Sequence, residues 1–266
     1  MIKNILLPLS QTNAAMTNVD YVLKLARVLN ADLLVSQLYK EVKRSNGLLE
    51  GNPTLKQITA QEIKAFMDGY ETRGVRVAPK PLEGDDWVEA VGKLHQKQNI
   101  DLIVLTPESH KLNEVNFLGP VSGALLKFLE IPVLIVPEDY RYKSIGRILM
   151  AVKSGIVKKK KSLDPIRALK KATEAEVRLL QVKTANYLPE DSEFNEVLGK
   201  IVSSYKYTEN ATLFQGLLEH LNENKPDMIC VFRRRRGFFK SLWEENVIKK
   251  SDFESRIPLL VLKEAE

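Results

Sequence analysis

Short apolar runs alternate along this chain with stretches in which apolar residues recur every third or fourth position. Ile2–Pro8 reads as a strand, and behind it Val19, Val22, Leu23, Ala26 and Leu29 keep the spacing of one buried helix face. A second apolar run, Asp32–Leu38, precedes a helix with Ile63, Phe66, Met67 and Tyr70 on one side, then a strand at Val75–Leu82. A helix from Trp87 to Gln98 leads into the strand Asp101–Leu105, and a helix from Val121 to Leu129 leads into Ile131–Val136. The predicted order is β-α-β-α-β-α-β-α-β. Runs that are apolar on both faces and alternate with helices specify a parallel sheet covered on both sides.

The pattern then starts again. Asp101-Leu-Ile-Val-Leu105 matches Asp227-Met-Ile-Cys-Val231, and Ile131-Pro-Val-Leu-Ile-Val136 matches Ile257-Pro-Leu-Leu-Val-Leu262, each pair 126 positions apart. A constant offset over two strands means that the segment between them has one length in both copies, which marks an internal repeat. Ile5-Leu6-Leu7 corresponds to Ile148-Leu149-Met150 at an offset of 143, so the second copy is shorter in its middle. Its predicted elements are a strand at Arg147–Val152, a helix around Asp164–Ala175 and a strand at Val177–Val182. A short helix carrying Phe194, Val197, Leu198 and Ile201 and a third strand near Ser203–Thr208 follow. The shortening falls on the second helix. Two domains are expected, 1–138 and 145–266, joined by the polar linker Pro137–Ser144.

Composition changes this picture little. With 44% hydrophobic and 28% charged residues in 266, the chain has the apolar content of a globular protein and too much for disorder. The opening MIKNILLPLSQTN holds too short an apolar stretch for a secretory core or a membrane span, so a cytoplasmic location and no membrane partner are expected. The single cysteine, Cys230, excludes an internal disulfide and lies in an apolar run, as a buried strand thiol would. The net charge of +6 permits anionic partners without requiring them. Much of the excess sits in Lys158–Lys161 and Arg233–Arg236.

These segments resemble the universal stress protein family, whose members open with a strand ending in proline with an aspartate at its tip. They continue to a late strand, a loop of pattern G-x2-G-x9-G-[ST], a helix and a final strand that begins with proline and aliphatic residues. The likeness runs once through each copy. It implies two doubly wound α/β domains in tandem, each a five-stranded parallel sheet of order 3-2-1-4-5 with helices on both faces. It also places a nucleotide crevice at the C-terminal ends of the strands, where open α/β sheets bind ligands. In the first copy that register falls on Pro8, Leu9, Ser10, Thr106, Ser109, Gly119, Val121 and Ser122. Here the loop reads Thr106-x2-Ser109-x9-Gly119-Pro120, with one of three glycines kept and Ser10 where the family has aspartate. Glycines let backbone approach phosphate, and a helix N-terminus attracts it with free N–H groups, one of which Pro120 removes. In the second copy Phe232, Arg235, Glu245 and Asn246 hold the loop positions and Lys153 the aspartate position. Glu245 would set a carboxylate against a phosphate.

Other chemistry is sparse. No G-x4-G-K-[ST] loop, H-E-x-x-H pair or G-x-S-x-G elbow occurs. His95 and His220 read as helix-surface residues, His110 and Lys158–Lys161 as solvated loop, and Asp85-Asp86 as a helix cap. Arg233–Arg236, followed by Gly-Phe-Phe-Lys240, reads as a loop whose arginines face water, which argues against nucleic acid as a partner. Both predicted fifth strands are apolar and would be hazardous as free edges, so they are expected to lie side by side, pairing the two domains within the chain. The expectation is a non-enzymatic stress-response protein with no cofactor and an unidentified protein partner, a higher homo-oligomer staying open. The alternative is a switch that binds ATP or AMP in the first domain.

Overall fold

Two aspartates, one per repeat, show how the sequence sets up the sheet. In the computed structural model, which describes residues 1–9, 18–40, 54–107, 116–138, 140–185, 187–233, 248–249 and 255–263, Asp101 Oδ2 accepts the backbone N–H groups of Lys3 and Asn4 at 2.8 and 3.0 Å. Asp227 Oδ2 does the same for Gly146 and Arg147, both at 2.9 Å. Each aspartate joins the start of the first strand of its repeat to the start of the fourth. The positions that carry the repeat in sequence therefore perform the same backbone work twice.

The N-terminal half runs β1 (Asn4–Pro8), α1 (Val19–Leu29), β2 (Asp32–Tyr39), α2 (Leu55–Met67), β3 (Val77–Glu83), α3 (Trp87–Lys97) and β4 (Leu102–Leu105). It ends with β5 (Asn116–Leu118), α4 (Pro120–Phe128) and β6 (Val133–Ile135). The C-terminal half runs β7 (Arg147–Val152), α5 (Asp164–Thr173), β8 (Glu176–Lys183), α6 (Glu196–Gly199), β9 (Ser204–Glu209) and α7 (Leu213–Asn224). Then come β10 (Met228–Arg233), β11 (Ile248–Lys249) and β12 (Leu259–Lys263). Helix starts follow the expected chemistry: Asp86 Oδ1 caps α3 at 2.7 Å, and Thr212, its counterpart, caps α7 at 3.1 Å. Asp85 takes no part in the cap and pairs with Lys40 at 2.7 Å.

The strands form one ten-stranded sheet, β3-β2-β1-β4-β6-β12-β10-β7-β8-β9. Each half is parallel and doubly wound, in the expected order. The halves meet antiparallel, with Ile135 opposite Leu259, Leu134 opposite Leu260 and Val133 opposite Val261. The two final strands are thus adjacent, as the apolar edges required, and all six of these side chains are fully buried. One apolar layer on each face of the sheet runs through both halves, Leu7, Leu134, Leu260 and Met150 on one face and Leu6, Ile135, Val261 and Leu149 on the other. At about 1.5–3 kcal/mol per fully buried aliphatic side chain, this seam is a core in its own right. The linker adds to it, because Tyr140 and Tyr142 pack edge-on against Tyr21 of α1, with centroids 6.0 and 5.2 Å away.

The structure departs from the sequence pattern in three places. The short helix expected near Phe194–Ile201 is a single turn, α6, with Phe194 outside it. The strand Ile131–Val136 shortens to three residues because Pro132 supplies a carbonyl to Ile103, at 2.9 Å, and no N–H. β5 and β11 form a second, two-stranded antiparallel sheet that no apolar run announced. Pairing over two or three residues leaves no periodic trace in a sequence.

Candidate functional site

At the C-terminal ends of β1 and β4 the sheet order reverses, and the chain diverges to opposite faces. Pro8 is buried at the tip of β1, and the N–H of Leu9 continues the ladder to the Ser36 carbonyl at 2.7 Å. Thr106, half-buried, follows β4. Gly119 is buried and opens α4 in an extended conformation, Pro120 takes the first helical position, Val121 is exposed and Ser122 half-buried. The first-turn N–H of Gly123 is accepted by the Gly119 carbonyl at 2.8 Å. Ser10, Ser109 and His110 lie outside the described residues, as do Glu245, Asn246 and Arg234–Arg236. The structure therefore brings Pro8, Leu9 and Thr106 to the strand tips and sets Gly119, Val121 and Ser122 on the start of α4.

Sequence reasoning missed the residue that ties these tips together. Asn18 stands at the N-cap position of α1, yet its side chain makes no capping hydrogen bond. Fully buried, it donates through Nδ2 to the Thr106 hydroxyl at 3.3 Å and to the Val136 carbonyl at 2.8 Å. It thus bridges the ends of β4 and β6 across the sheet. Among the described residues its Oδ1 has no hydrogen-bond partner, and neither has the buried Ser36 hydroxyl in β2. An unpaired buried polar atom costs about 1–3 kcal/mol.

In the C-terminal half the chain's own polar groups meet at the ends of β7 and β8. Gln181, a polar residue inside the apolar run of β8 and 2% exposed, uses both ends of its amide. Its Oε1 accepts from the Tyr205 hydroxyl at 2.6 Å, while Nε2 donates to the carbonyls of Lys153 at 3.3 Å and Asp191 at 2.5 Å and to the Tyr187 hydroxyl at 3.3 Å. Asp191 belongs to a single 3-10 turn, Pro189–Ser192, which stands where the first copy has its long second helix. The following residues are held by a parallel bridge between Gly155 and Phe194, and Asn195 Nδ2 donates to the Val157 carbonyl at 2.8 Å. A Cβ on Gly155 would sit 2.7 Å from the Glu193 carbonyl, so this close backbone approach requires glycine. Lys153, at the position of the family aspartate, contributes its backbone carbonyl to this network.

One sequence reading is corrected here. Arg233 does not face water. It is the last residue of β10, 9% exposed, and its guanidinium donates to the carbonyls of Leu126 and Lys127 and to the Glu130 carboxylate. Lys263, at the end of β12 and equally buried, donates to the Leu126 carbonyl. Two cations from the C-terminal half thus cap the C-terminus of α4, where the helix dipole favours positive charge. Burial, and then the neighbouring Arg233, push the Lys263 amine well below the usual lysine range, with Glu130 opposing. A single cation closing an apolar run was the available signal for Lys263, whereas Arg233 is hidden as the first of four arginines.

The remaining candidates are structural. His95 accepts the Ile100 N–H at Nδ1, 3.1 Å away, and so ends α3 rather than standing free on its surface. His220 sets Nδ1 against Glu223 at 3.3 Å and is largely buried, its Nε2 without a partner. Lys158–Lys161 are exposed, as read from the sequence. Cys230 is fully buried, and burial pushes its thiol up, away from the reactive thiolate. Among the described residues no cluster of His, Cys, Asp or Glu could hold a metal ion, and no helix is long and apolar enough to cross a membrane.

Comparison with known proteins agrees with this architecture. The sequence model of the Universal stress protein family matches residues 1–137. Among solved structures, a universal stress protein from Archaeoglobus fulgidus superposes with a TM-score of 0.67 at 17% identity, covering 98% of each chain. A putative universal stress protein from Pseudomonas aeruginosa gives 0.59 at 15% identity, over 98% of this chain and 93% of that one. A functionally unknown protein from the same species gives 0.60 at 15% identity over 99% and 93%. No curated protein matches the sequence.

Proposed function

This chain belongs to the universal stress protein family, and from that premise we propose that it is a stress-response protein that works by binding a protein partner rather than by catalysis or nucleotide turnover. Residues 1–138 and 145–266 are its two domains, and they act as one intramolecular pseudo-dimer in the cytoplasm. The observation that carries this reading is the Gln181 network. Hydrogen bonds that Gln181 donates to Lys153, Asp191 and Tyr187 and accepts from Tyr205 put the chain's own polar groups over the C-terminal ends of β7 and β8. A crevice occupied in this way has no room to exchange a ligand without breaking a buried network. In the N-terminal half, Thr106 and Pro120 replace groups that would contact phosphate, and Asn18 draws the strand tips together.

A second reading rests on a different observation. Asn18 Oδ1, beside the tips of β4 and β6, is buried and has no partner among the described residues, and a nucleotide base or ribose bearing N–H or O–H donors would satisfy it. On this reading the first domain is an ATP- or AMP-responsive switch. Mass spectrometry of small molecules released when the purified protein is denatured separates the two. Scaffold action gives no adenine nucleotide near one per chain, and a stoichiometric nucleotide overturns it in favour of the switch.

A further inference from the structure

The shortened middle of the second copy leaves part of the sheet face uncovered. On the face that carries α1, α2 and α5, Ile63 and Met67 of α2 join the core layer of Leu33 and Val35 in β2, and α2 lies against β3 as well. In the C-terminal half Leu198 and Ile201 join Val177 and Leu179 of β8 in that layer. α6, however, has only four residues, and beyond it β9 is exposed along most of its length. Tyr205 is 53% exposed, and Tyr207, two positions on and so on the same face, is 44% exposed. Phe194, 42% exposed, meets the Tyr205 ring edge-on with centroids 5.8 Å apart. Leu188, 40% exposed, follows Tyr187, whose hydroxyl meets Gln181 as that of Tyr205 does. These residues form one aromatic and aliphatic surface beside the Gln181 network.

An ordinary surface tyrosine buries its ring and gives its hydroxyl to water. Here the Tyr205 hydroxyl donates to Gln181 at 2.6 Å and the Tyr207 hydroxyl to Glu209 at 2.5 Å, so the polar ends are used within the molecule while the rings stay exposed. Rings held in this way bind a partner at little cost in conformational entropy. The rim of this surface is acidic, although the chain carries a net charge of +6. Glu196 and Glu209 are matched by Lys200 and Lys183, but Glu190 and Glu193, exposed beside Leu188 and Phe194, enter no ion pair among the described residues. Lys183 also stands over the Tyr187 ring, 5.8 Å from its centroid, so these aromatics already hold one cation.

We propose that this surface docks a cationic amphipathic helix of a protein partner, its apolar side on Phe194, Tyr205 and Tyr207 and its lysines or arginines toward Glu190 and Glu193. The proposal rests on the reading of the chain as a protein-binding scaffold and names the chemistry of its partner. A helix suits the site because a helix, α2, covers this face of the sheet in the N-terminal half. Cations suit it because unpaired carboxylates attract them and repel acidic partners, nucleic-acid phosphates included. An exposed apolar cluster with a polar rim is the form that interaction surfaces take. One helix on five side chains buries less than the about 1,200 Å² of a stable interface, so the contact is weak and exchangeable.

The test uses the full chain and a fluorescent peptide of leucine and lysine, about 14 residues and so about 21 Å long as a helix, with leucine on one side and lysine on the other. Fluorescence anisotropy should show it binding, and replacing its lysines with glutamate or its leucines with glutamine should weaken binding at least about tenfold. Tyr207→Ala removes an anchor ring and should weaken the leucine–lysine peptide about tenfold. Glu190→Lys with Glu193→Lys changes two exposed side chains outside the Gln181 network, so it should keep the parent's thermal melt and weaken the peptide about as much. No binding of the leucine–lysine peptide, equal binding of its glutamate version, or binding indifferent to both variants overturns the proposal. So does a concentration-dependent dimer in sedimentation velocity that Tyr207→Ala abolishes, because a second copy then fills the surface. Failure here is distinct from failure of the scaffold reading. Absent peptide binding overturns the docking surface and leaves that reading standing, whereas a stoichiometric nucleotide released on denaturation overturns that reading and leaves peptide binding to decide the surface.

Discussion

The two halves of this molecule share a strand order and a stapling aspartate, yet treat their strand tips differently. Beside β4 and β6, one buried asparagine spans the strand tips, and its Oδ1 has no partner among the described residues. Above β7 and β8, one buried glutamine satisfies four neighbours at once, under a segment laid over Gly155. The sequence difference behind this is the shortened middle of the second copy, where a 3-10 turn and one turn of α-helix stand in for α2. A helix buries a stripe against the sheet face. A short segment lacks the length for such a stripe and buries its residues by folding over the tips.

The strongest way to break the comparison is to separate the halves. Leu134 and Leu260 face each other at the seam with no exposure, so Leu260→Lys places an unpaired charge in a dry interface. We expect a loss of about 4 kcal/mol or more in urea unfolding, with aggregation or separation of the halves. A loss under about 1 kcal/mol, the size of a surface substitution, would mean that each half is stable without the other.

The crevices themselves respond next. Gln181→Ala strands the Tyr205 hydroxyl and the Lys153 and Asp191 carbonyls, for an expected cost of about 2–3 kcal/mol. Asn18→Ala gives up two bonds and also removes an atom that had no partner, for an expected cost of about 1 kcal/mol. Equilibrium denaturation of the two variants checks the order. Equal losses would remove the contrast between the two buried amides.

The smallest effect concerns the cations at the end of α4. Because the folded-state pKa of Lys263 lies well below the ordinary 10.5, the unfolded chain binds the extra proton between those two values. The contribution of this residue to stability therefore rises with pH across that window. Exposed Lys40, Lys93 and Lys183 are shifted upward by their carboxylate partners and slope the other way, so the informative quantity is a difference. Measured from pH 7 to 10, the parent should gain stability relative to Lys263→Met, in which Arg233 still serves the Leu126 carbonyl. Parallel curves would show that the buried amine is not perturbed.

The fold was legible in the sequence because strands buried on both faces read as unbroken apolar runs, and because Asp101, Asp227, Pro132 and Pro258 repeat at fixed spacing. Adjacency of the final strands followed from the same logic, since two apolar edges had to cover each other. The crevice was legible by position and much less by content. Asn18 looks like a cap in sequence and Arg233 like the start of a charged loop, because a side chain that bonds across the sheet leaves no local pattern. Gln181 and Lys263 carried a signal, a polar residue within or closing an apolar run, although the partner that makes such a residue tolerable lies far away in sequence.

Calorimetric titration of the intact parent chain with ATP and AMP tests the central claim most directly, namely that neither crevice is a working nucleotide site. We expect no binding tighter than about 100 μM, roughly −5.5 kcal/mol. Restoring the family pattern in the first half through Ser10→Asp, Thr106→Gly, Ser109→Gly and Pro120→Ser should bring measurable heat. Low-micromolar binding by the parent would contradict the claim.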